Sequence, residues 1–562
     1  MIKKWQIYDA NVEEIEQISE KYKINKLLAT ILSNRGINTQ EKIELFLNPK
    51  RNDFHDPYEM PDMEKAVERI IQAKENNDKI IIYGDYDVDG ITSITVLKSF
   101  LKDIGIETAY YIPNRLNEGY GLNIPAVEKI AQDGYNLMIT VDCGITCIEE
   151  INRANELGMD VIVTDHHEVG DELPNAIAVV DCKRKDNKYK CRDLAGVGVA
   201  FKLSQALAMK LGIDEKEYLK YLDIVCIGTI SDIVPLVDEN RLISKLGLML
   251  VNQTRNIGLQ AILKLSGYKN IDSTAISFGV APRLNACGRM GHADEALKLF
   301  LSQNINEVNQ IANTLNEYNR TRQDIEKSIY ESALKQIEEQ KLNENKTIVV
   351  SGENWHHGVI GIVSSKITEM YFKPSILLCI EDGEAKGSGR SIPGFDLHEA
   401  LLKCQNSLER FGGHSMAVGL TLKEEKITEF AKNLENEATQ AHIEEIIPII
   451  KIDAKINLEE VNRQMVESIK MLEPFGEANK MPVFAFKNLK IDSIRALSEG
   501  KHLKLTLKDN NAIVSAIGFN MGELAEEYRI GDKIDVVGNL EINSFNGVDN
   551  IQINLKDVMR SI

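Results

Sequence analysis

Three aspartates, Asp85, Asp87 and Asp89, stand at alternate positions in the stretch GDYDVDG. Carboxylates at this spacing, closed by a glycine, match the start of an EF-hand calcium loop. The calcium interpretation fails because position twelve of such a loop is Val96, where a bidentate glutamate is required. The preceding KIIIYG is apolar and β-branched, which predicts a strand. Ligands collect beyond the carboxyl ends of parallel strands, so the acids predict a metal or phosphate site.

Two more acids end predicted strands in the same region. Asp142 ends NLMITVD, and Asp165 ends DVIVTD, where His166 and His167 follow it. Strands and helical stretches alternate over residues 79–181, which predicts βαβ units and a twisted parallel sheet. The carboxyl ends of parallel strands share one edge of a sheet, so we expect these acids and imidazoles to meet there.

A mixed set of carboxylates and imidazoles suits Mn²⁺, and two ions about 3.5–4 Å apart can clamp the attacking and leaving oxygens of a phosphoryl transfer. Asp232, inside the apolar stretch GTISDIVPL, is a further candidate because a buried acid needs a partner such as a metal. An aspartate at the end of a strand can instead cap a helix, and a pair of histidines can be structural. The prediction therefore depends on the whole set.

The composition sets limits on the class of protein. At 562 residues the chain is too long for one core, which predicts three or four domains. A net charge of -19 argues against a surface that binds nucleic acid everywhere, but it is compatible with one local basic groove. The sequence shows no apolar run of membrane-spanning length and no signal peptide, so we expect a cytoplasmic protein without membrane contact. The eight cysteines form no CxxC pair and are expected to be reduced.

The pattern of strands and helices divides the chain into five segments. We predict a helical N-terminal segment over 1–75, a first α/β lobe over 76–303, a long connecting helix over 304–342, a smaller α/β lobe over 343–447 and a β-barrel over 448–562.

Two glycine-rich motifs in the smaller lobe could hold phosphate. In GSGRS, the glycines permit close backbone approach, and Ser388 and Arg390 can donate to phosphate oxygens. In FGGH, Gly412, Gly413 and His414 could act similarly at a junction between a loop and a helix. The alternative is tight-turn glycines beside a solvent-facing arginine.

The run APRLNACGRMGH places Arg283, Asn285 and Arg289 close together. It could be a loop with satisfied polar side chains, but we favour a lining of the cleft between the lobes, in contact with the nucleotide or the scissile phosphate. In the predicted barrel, Phe545 is expected to stack on bases, and Phe519 is expected to lie in the core. A basic stretch in the same region comprises Lys501, His502, Lys504 and Lys508.

GDYDVDG, VDCG, TDHHE and GTISDIVPL, in this order, resemble the four motifs of the DHH phosphoesterase superfamily. PRLNACGRM, GSGRS and FGGH narrow the resemblance to the RecJ family of single-strand-specific exonucleases, over nearly the entire chain. The implied fold is α/β, with a parallel-sheet DHH domain and a smaller DHH-associated domain joined by the long helix, followed by an OB-like barrel that binds single strands.

The resemblance implies a 5′→3′ exonuclease that uses two Mn²⁺ or Mg²⁺ ions, releases mononucleotides from single-stranded DNA and acts in DNA repair and recombination. The implied metal ligands are Asp87 for one ion, Asp89 for the other, Asp142 for both, and His166 and Asp232 for the second site. Asp85 and His167 would lie close by as further ligand, supporting residue or phosphate donor.

By the same analogy, Arg115 joins Ser388 and Arg390 in gripping the 5′-terminal phosphate. The expected partners are single-stranded DNA with a 5′ end, a RecQ-type helicase and a single-strand-binding protein, and the protein is expected to be a monomer.

Three other functions remain as alternatives. A phosphodiesterase for short oligonucleotides or cyclic dinucleotides would normally be shorter, and a pyrophosphatase of this superfamily has a different second domain and no barrel. A non-catalytic scaffold would have lost metal ligands, whereas every expected ligand type is present here.

Overall fold

A computed structural model describes residues 3–115, 117–510, 512–545 and 548–561, and the side chains of residues 544, 545 and 548 lie outside that description. The N-terminal segment contains one short strand and four helices. They are β1 (Lys4–Ile7), α1 (Val12–Tyr22), α2 (Lys26–Asn34), α3 (Gln40–Leu47) and α4 (Met63–Asn76). Side chains of Asn11, Asn25 and Thr39 cap the first three helices by accepting hydrogen bonds from backbone N–H groups.

The first lobe is built on a five-stranded, fully parallel sheet in the order β3-β2-β4-β5-β6. The strands are β2 (Ile80–Gly84), β3 (Thr108–Tyr111), β4 (Leu137–Val141), β5 (Asp160–Asp165) and β6 (Ala178–Asp181). Every residue of β2 and β4 is buried, which explains why these strands are continuously apolar.

Helices pack on this sheet and extend beyond it. They are α5 (Val88–Asp103), α6 (Ile124–Gln132), α7 (Ile148–Glu156), α8 (Gly196–Leu211), α9 (Lys216–Leu219), α10 (Leu222–Ser231), α11 (Asp238–Val251), α12 (Ile257–Ser266), α13 (Ser273–Ala275), α14 (Ala281–Arg289) and α15 (Ala293–Leu301). A π-helix, Ile276–Val280, leads into α14. The run APRLNACGR is therefore helical rather than a loop.

One long helix connects the two lobes. Helix α16 (Ile305–Glu339) has 35 residues, so it is about 52 Å long at 1.5 Å per residue. Within the described parts of the chain, neither this helix nor any other combines the length and apolar character needed to cross a bilayer.

The second lobe is a mixed sheet in the order β10-β11-β9-β8-β7, in which only β7 and β8 pair in parallel. Its elements are β7 (Ile348–Glu353), α17 (His357–Tyr371), β8 (Ser375–Glu381), β9 (Glu384–Arg390), α18 (Leu397–Lys403), β10 (Arg410–His414), β11 (Ala417–Lys423) and α19 (Ile427–Gln440). The prediction of a loop-helix junction at FGGH is wrong, because Gly412, Gly413 and His414 pair with β11 as edge strand β10.

The C-terminal region forms a closed barrel in the order β14-β15-β16-β18-β17, and β17 pairs back with β14. Its elements are β12 (Ile449–Ile452), β13 (Ala454–Lys455), α20 (Arg463–Ile469), β14 (Phe484–Leu497), β15 (His502–Asp509), β16 (Ala512–Gly518), α21 (Leu524–Glu527), β17 (Lys533–Phe545) and β18 (Val548–Arg560). The predicted fold class is confirmed. The predicted burial of Phe519 is wrong, since its side chain is 52% exposed.

The N-terminal segment is part of the same core as the barrel. Strand β1 pairs in parallel with β12, and apolar residues of α1, α2 and α3 share one cluster with those of β14 to β18. The two ends of the sequence therefore meet in one packed unit.

Candidate metal centre and nucleic-acid cleft

The seven predicted acids and histidines of the metal centre converge at the carboxyl edge of the parallel sheet. Because β2, β4 and β5 are neighbours in the sheet, the residues that follow these strands lie close together. The first turn of α5 adds Asp89 to this group, and the end of α10 adds Asp232. Ligand atoms lie within 4.8 Å of one another in three overlapping groups: Asp85, Asp87 and Asp142; Asp89, His166 and Asp232; Asp142, His166 and His167.

Backbone N–H groups hold two of these carboxylates in place. Asp87 caps α5 by accepting from the N–H groups of Asp89 and Gly90, at 2.9 and 3.1 Å. Asp89 in turn accepts from the N–H groups of Gly196 and Val197 at the start of α8, at 2.6 and 2.8 Å. The first turns of two helices are thus fixed around the acids.

Two glycines let helices approach the site closely. A Cβ atom at Gly196 would lie 2.7 Å from Oδ1 of Asp142, and one at Gly228 would lie 2.2 Å from Oγ1 of Thr92 and 3.1 Å from Oδ1 of Asp89. Any larger side chain at either position would push α8 or α10 away from the carboxylates.

His166 is oriented as a neutral ligand. Its buried Nε2 lies 3.1 Å from Asp142 Oδ1, 3.6 Å from Asp232 Oδ2 and 3.7 Å from Asp89 Oδ2. Burial lowers the pKa of His166 to about 3, so the imidazole is neutral, as metal coordination requires. In the described part of the chain, neither this nitrogen nor the buried Oδ1 of Asp85 has a hydrogen-bond partner. Such orphaned polar atoms fit a bound cation.

The carboxylates repel one another in the metal-free protein. Burial, and then the charge of Asp87, raise the pKa of Asp85 well above its usual range and that of Asp89 to about 7. Burial, and then the charge of Asp89, raise the pKa values of Asp142 and Asp232 well above their usual range. Divalent cations would relieve both the burial and the repulsion, so this donor set fits two ions.

Asp165 positions the histidines instead of facing the other acids. Its Oδ1 accepts from the N–H of His166 at 2.7 Å and from Nδ1 of His167 at 2.7 Å, and its Oδ2 accepts from the N–H of Ile145 at 2.9 Å. Burial alone would lower the pKa of His167, but the hydrogen bond with Asp165 raises it to about 9. His167 is therefore a half-buried cation, and the hydroxyl of Tyr120 lies 3.2 Å from its ring nitrogens.

Arginines gather beside the acids. The guanidinium of Arg115 lies 5.0 Å from the ring centroid of Tyr86, the residue between Asp85 and Asp87. Arg289 donates to the carbonyl of Gly358 at 2.9 Å. Burial, and then the charges of Arg115, Arg322 and Arg390, lower its pKa to about 10, so it remains a cation at neutral pH. The cluster offers several cationic donors next to the metal centre, as phosphate recognition requires.

Strand β9 presents different residues on its two faces. Arg390 donates to Ser388 Oγ at 3.1 Å, and both side chains lie against Gly361 of α17. The sequence predicted that Gly387 and Gly389 of GSGRS let the backbone approach a phosphate, but in the structure these glycines allow close packing of side chains. A Cβ atom at Gly387 would lie 2.6 Å from Leu378, and one at Gly389 would lie 2.8 Å from Val418, so both glycines serve packing in the apolar core.

The helix α14 residues have unequal surroundings. Arg283 donates to the side chain of Asn316 at 3.0 Å and to the carbonyls of Gly279 and Leu265, so its guanidinium braces the protein. A contact of Arg283 with substrate stays a prediction. The side chain of Asn285 accepts from the N–H of Val88 at 3.2 Å and so supports the first turn of α5.

Several residues of the cleft were missed from sequence. His356 accepts from the N–H of Gly358 and caps α17, and His357 follows it close to Arg115. The pair in NWHHGV precedes a helix, a signal that could have identified it. Tyr120 and Arg322 carry no comparable signal, because only tertiary packing brings them to the site.

The barrel carries a groove of about 1030 Å³. Its lining includes Arg495, Lys504 and Ile513, which suits a phosphate backbone with apolar bases. Lys508 pairs with Asp492 at 2.6 Å, and His502 meets the exposed ring of Phe519 edge-on. The predicted stacking role of Phe545 lies outside the described side chains.

Three segments of the chain match known domain families. Residues 79–229 match the DHH family N-terminal domain, residues 344–440 the DHHA1 domain, and residues 452–557 the RecJ OB domain. The carboxylate and histidine edge of the parallel sheet lies almost wholly in the first of these. Fold and site together define a phosphoesterase of the DHH class.

Relatives over the full length narrow this class. The chain is 40% identical over 560 residues to the single-stranded-DNA-specific exonuclease RecJ of Bacillus subtilis, covering 99% of this chain and 70% of the relative. It is 32% identical over 558 residues to RecJ of Haemophilus influenzae, covering 94% and 95% of the two chains. The chain belongs to the RecJ family.

Solved structures agree with this assignment. The structure of RecJ from Thermus thermophilus in complex with Mn²⁺ has a TM-score of 0.87 at 28% identity, covering 100% of this chain and 80% of that one. The same protein in complex with Mg²⁺ has a TM-score of 0.80 at 26% identity, covering 100% and 78%. Both predicted metals are therefore bound by a relative of the same fold.

Proposed function

We propose that this protein hydrolyses single-stranded DNA from its 5′ end and releases 5′-mononucleotides with the help of two divalent metal ions. The observation that carries the proposal is that two sites adjoin: seven acids and histidines form three overlapping groups with ligand atoms within 4.8 Å of one another, beside the arginine cluster. One site can cut a phosphodiester, and the other can hold a terminal phosphate.

The carboxylates divide into two sets that share Asp142. Asp87, with Asp85 beside it, would hold one ion, and Asp89, His166 and Asp232 would hold the other, with Asp142 contacting both. Bound divalent ions would supply an activated water and neutralise charge on the phosphate oxygens. The grouping of Asp85 with Asp87 and Asp142 supports a role as a further ligand.

His167 is suited to a different task. It is held as a cation by Asp165, is more exposed than His166 and lies at the edge of the carboxylate cluster. We assign it as a donor to a phosphate oxygen, because a cationic imidazole binds an anion better than a metal.

Recognition of the strand end is assigned to Arg115, Ser388 and Arg390. A phosphate between the two guanidinium groups would accept charge-assisted hydrogen bonds from both. Arg289 lies within electrostatic range of Arg115 and Arg390, and both Arg289 and Asn285 line the adjacent groove. Gly412, Gly413 and His414, exposed on edge strand β10, are assigned to the outer path of the strand. A pocket that accepts only an end makes a two-metal centre exonucleolytic.

The barrel is assigned to hold the strand downstream. Arg495 and Lys504 in its groove would contact phosphates, and the stacking role predicted for Phe545 extends this surface. Beyond DNA, we propose that a RecQ-type helicase and a single-strand-binding protein supply the strand, that the enzyme acts in repair and recombination in the cytoplasm, and that it is a monomer.

The test is the order of product release. With Mn²⁺ and a 5′-labelled single strand, the labelled mononucleotide should appear at once, whereas a 3′-labelled strand should shorten progressively. Duplex DNA and a cyclic dinucleotide are the comparison substrates. Asp142→Asn should lower the rate by at least about 100-fold, since removal of an ion-holding or charge-stabilising group costs this much in other enzymes.

The matched control is Asp133→Asn, because Asp133 is exposed and remote from the carboxylate cluster. Its activity should equal that of the unmodified protein. Preferred cleavage of the cyclic dinucleotide, release of label from the 3′ end first, or full activity of Asp142→Asn would each contradict the proposal.

A further inference from the structure

A groove of about 720 Å³ opens next to the metal centre. Ile233, the residue that follows Asp232, forms one wall, and Phe278 of the π-helix Ile276–Val280 forms another. A third side, from the segment before the barrel, is lined by Phe475, Gly476, Glu477, Lys480 and Met481. The groove thus runs from the catalytic edge of the sheet toward the barrel.

Two large apolar side chains in this groove are exposed to solvent. The side chain of Phe278 is 73% exposed and that of Ile233 is 70% exposed, although both residue types are usually buried. Met481, on the opposite wall, is 37% exposed. Large exposed apolar side chains that share one groove are typical of a binding surface.

Both exposed residues also have unusual backbones. Phe278 stands in a π-helix, a rare form that is frequently found at functional sites. Ile233 has a φ of 62°, in the left-handed region that β-branched residues strongly avoid. Two unfavourable local conformations therefore present side chains to the same space, which indicates selection for what the groove binds.

Cations line the same groove. Arg289, Arg322 and Lys480 contribute to its lining beside the apolar walls; Arg322 pairs with Glu326, and Lys480 pairs with Glu477 of the same lining. Flat apolar faces together with cationic groups match a nucleic acid strand, whose bases stack and whose phosphates are negative.

The groove lies beside the proposed cleavage site. The guanidinium of Arg115 lies 5.0 Å from the ring centroid of Tyr86, next to Asp85, whereas Ser231 and Ile233, on either side of Asp232, line the groove. A strand with its 5′ phosphate at Arg115 would therefore cross the metal centre and continue into the groove.

We propose that this groove binds the bases on the 3′ side of the scissile phosphate, with Phe278 as a stacking surface and Ile233 as the wall that holds the strand against it. This inference rests on the proposed function. Phe278 is a positioning residue: it sets the affinity for the strand and not the chemistry of cleavage.

The experiment uses a set of 5′-phosphorylated 12-nucleotide strands, each with one abasic residue at a position from 2 to 6. For the first cleavage in Mn²⁺, the unmodified enzyme should show a KM roughly tenfold higher when the abasic residue replaces the base stacked on Phe278. Phe278→Ala should raise the KM of the intact strand by a similar factor, with no further rise at that position and with kcat nearly unchanged. Phe278→Tyr, which keeps an aromatic face, should behave as the unmodified enzyme.

Met249→Ala is the matched control, because Met249 is 65% exposed on α11 and does not line the groove. An unchanged KM in Phe278→Ala, or an abasic penalty that persists at the same position in that variant, would overturn the inference and assign the groove to another occupant. Failure of the unmodified enzyme to release the 5′ nucleotide would instead overturn the proposed function, so the two failures are distinguishable.

Discussion

Asp142 is the residue on which the charges of the metal centre converge. It is buried, contacts both proposed ion sites and lies close to four other carboxylates. Burial, and then repulsion from Asp89, raise its pKa well above the usual range, so the folded metal-free protein contains an unfavourable group. Sites of this kind are kept for function at the expense of stability.

Mn²⁺ should therefore stabilise the protein. At an ion concentration 100 times the dissociation constant, binding to the folded state alone adds about 2.7 kcal/mol to the free energy of unfolding. Thermal unfolding with Mn²⁺ and with EDTA measures the difference. Asp142→Asn should equal or exceed the unmodified protein in EDTA and lose the gain from Mn²⁺, whereas Asp133→Asn should keep it.

The pH dependence of the same measurement has a defined sign. The pKa of Asp89 is raised from 3.8 to about 7, so the folded metal-free protein holds a proton there that an ion must displace. The gain from Mn²⁺ should consequently be smaller at pH 6 than at pH 8. A gain that is the same at both pH values, or is retained by Asp142→Asn, would contradict this account.

At the level of residues, acids that follow apolar strands could be predicted, because parallel strands share an edge. The separate functions of neighbouring residues within one motif could not be predicted. In TDHHE, Asp165 accepts four hydrogen bonds from its surroundings while His166 faces the carboxylates. In APRLN, Arg283 donates to the carbonyl of Gly279, which only the folded π-helix places near it. These roles depend on side-chain directions that spacing does not encode.

Among the elements, the end of helix α10 links stability to the site. Asp232 is its C-cap, and Ile233 occupies the next position in the left-handed conformation, where helices normally place glycine. The side chain at that position is mostly exposed and buries little apolar area. Isoleucine is therefore an unfavourable residue at the end of this helix. Its presence at position 233 is explained by its role in lining the groove.

Ile233→Gly should separate these two effects. Relief of the left-handed conformation, about 1–2 kcal/mol, should offset the larger conformational freedom of glycine in the unfolded chain, about 1 kcal/mol. We expect equal stability or a gain of up to about 1 kcal/mol in urea unfolding, together with a higher KM for single strands. A loss of stability above 1 kcal/mol, or an unchanged KM, would count against the role of Ile233 as a wall.

Elements differ in how well the sequence predicts them. The helix predicted over residues 304–342 is long and free of glycine and proline, and α16 occupies nearly the same range. The segment FGGH contains two consecutive glycines, which disfavour any regular element, yet pairing with β11 makes it a strand. Tertiary pairing overrides local preference where the local signal is weak.

At the scale of the molecule, Arg241 joins three regions. From α11 in the first lobe, its buried guanidinium donates to the carbonyls of Phe46 at 2.9 Å, Leu472 at 3.0 Å and Glu473 at 3.0 Å. It also stacks on the ring of Phe46, at 3.5 Å from the centroid. Burial lowers the pKa of Arg241 to about 9, so the guanidinium remains a cation at neutral pH. Carbonyl groups of the N-terminal segment and of the segment before the barrel bind this cation.

Arg241→Met should destabilise the whole protein. It removes the donor from the carbonyls of Phe46 and Glu473, whereas that of Leu472 keeps a hydrogen bond from Asn479. At about 1–3 kcal/mol for each unsatisfied buried group, we expect a loss of about 2 kcal/mol or more in urea unfolding. Arg51→Met is the control, since the pair of Arg51 with Glu215 is exposed and should be worth less than 1 kcal/mol. Equal stability of the two variants would show that Arg241 does not hold these regions together.

The pairing of β1 with β12 has a consequence for how the protein is made. Residues Lys4–Ile7 leave the ribosome long before their partners Ile449–Ile452 are synthesised. Until then, the leucines and isoleucines of α1 to α3 have no barrel to pack on. The apolar side chains of α1 to α3 must therefore remain without these packing partners until the barrel strands have been synthesised.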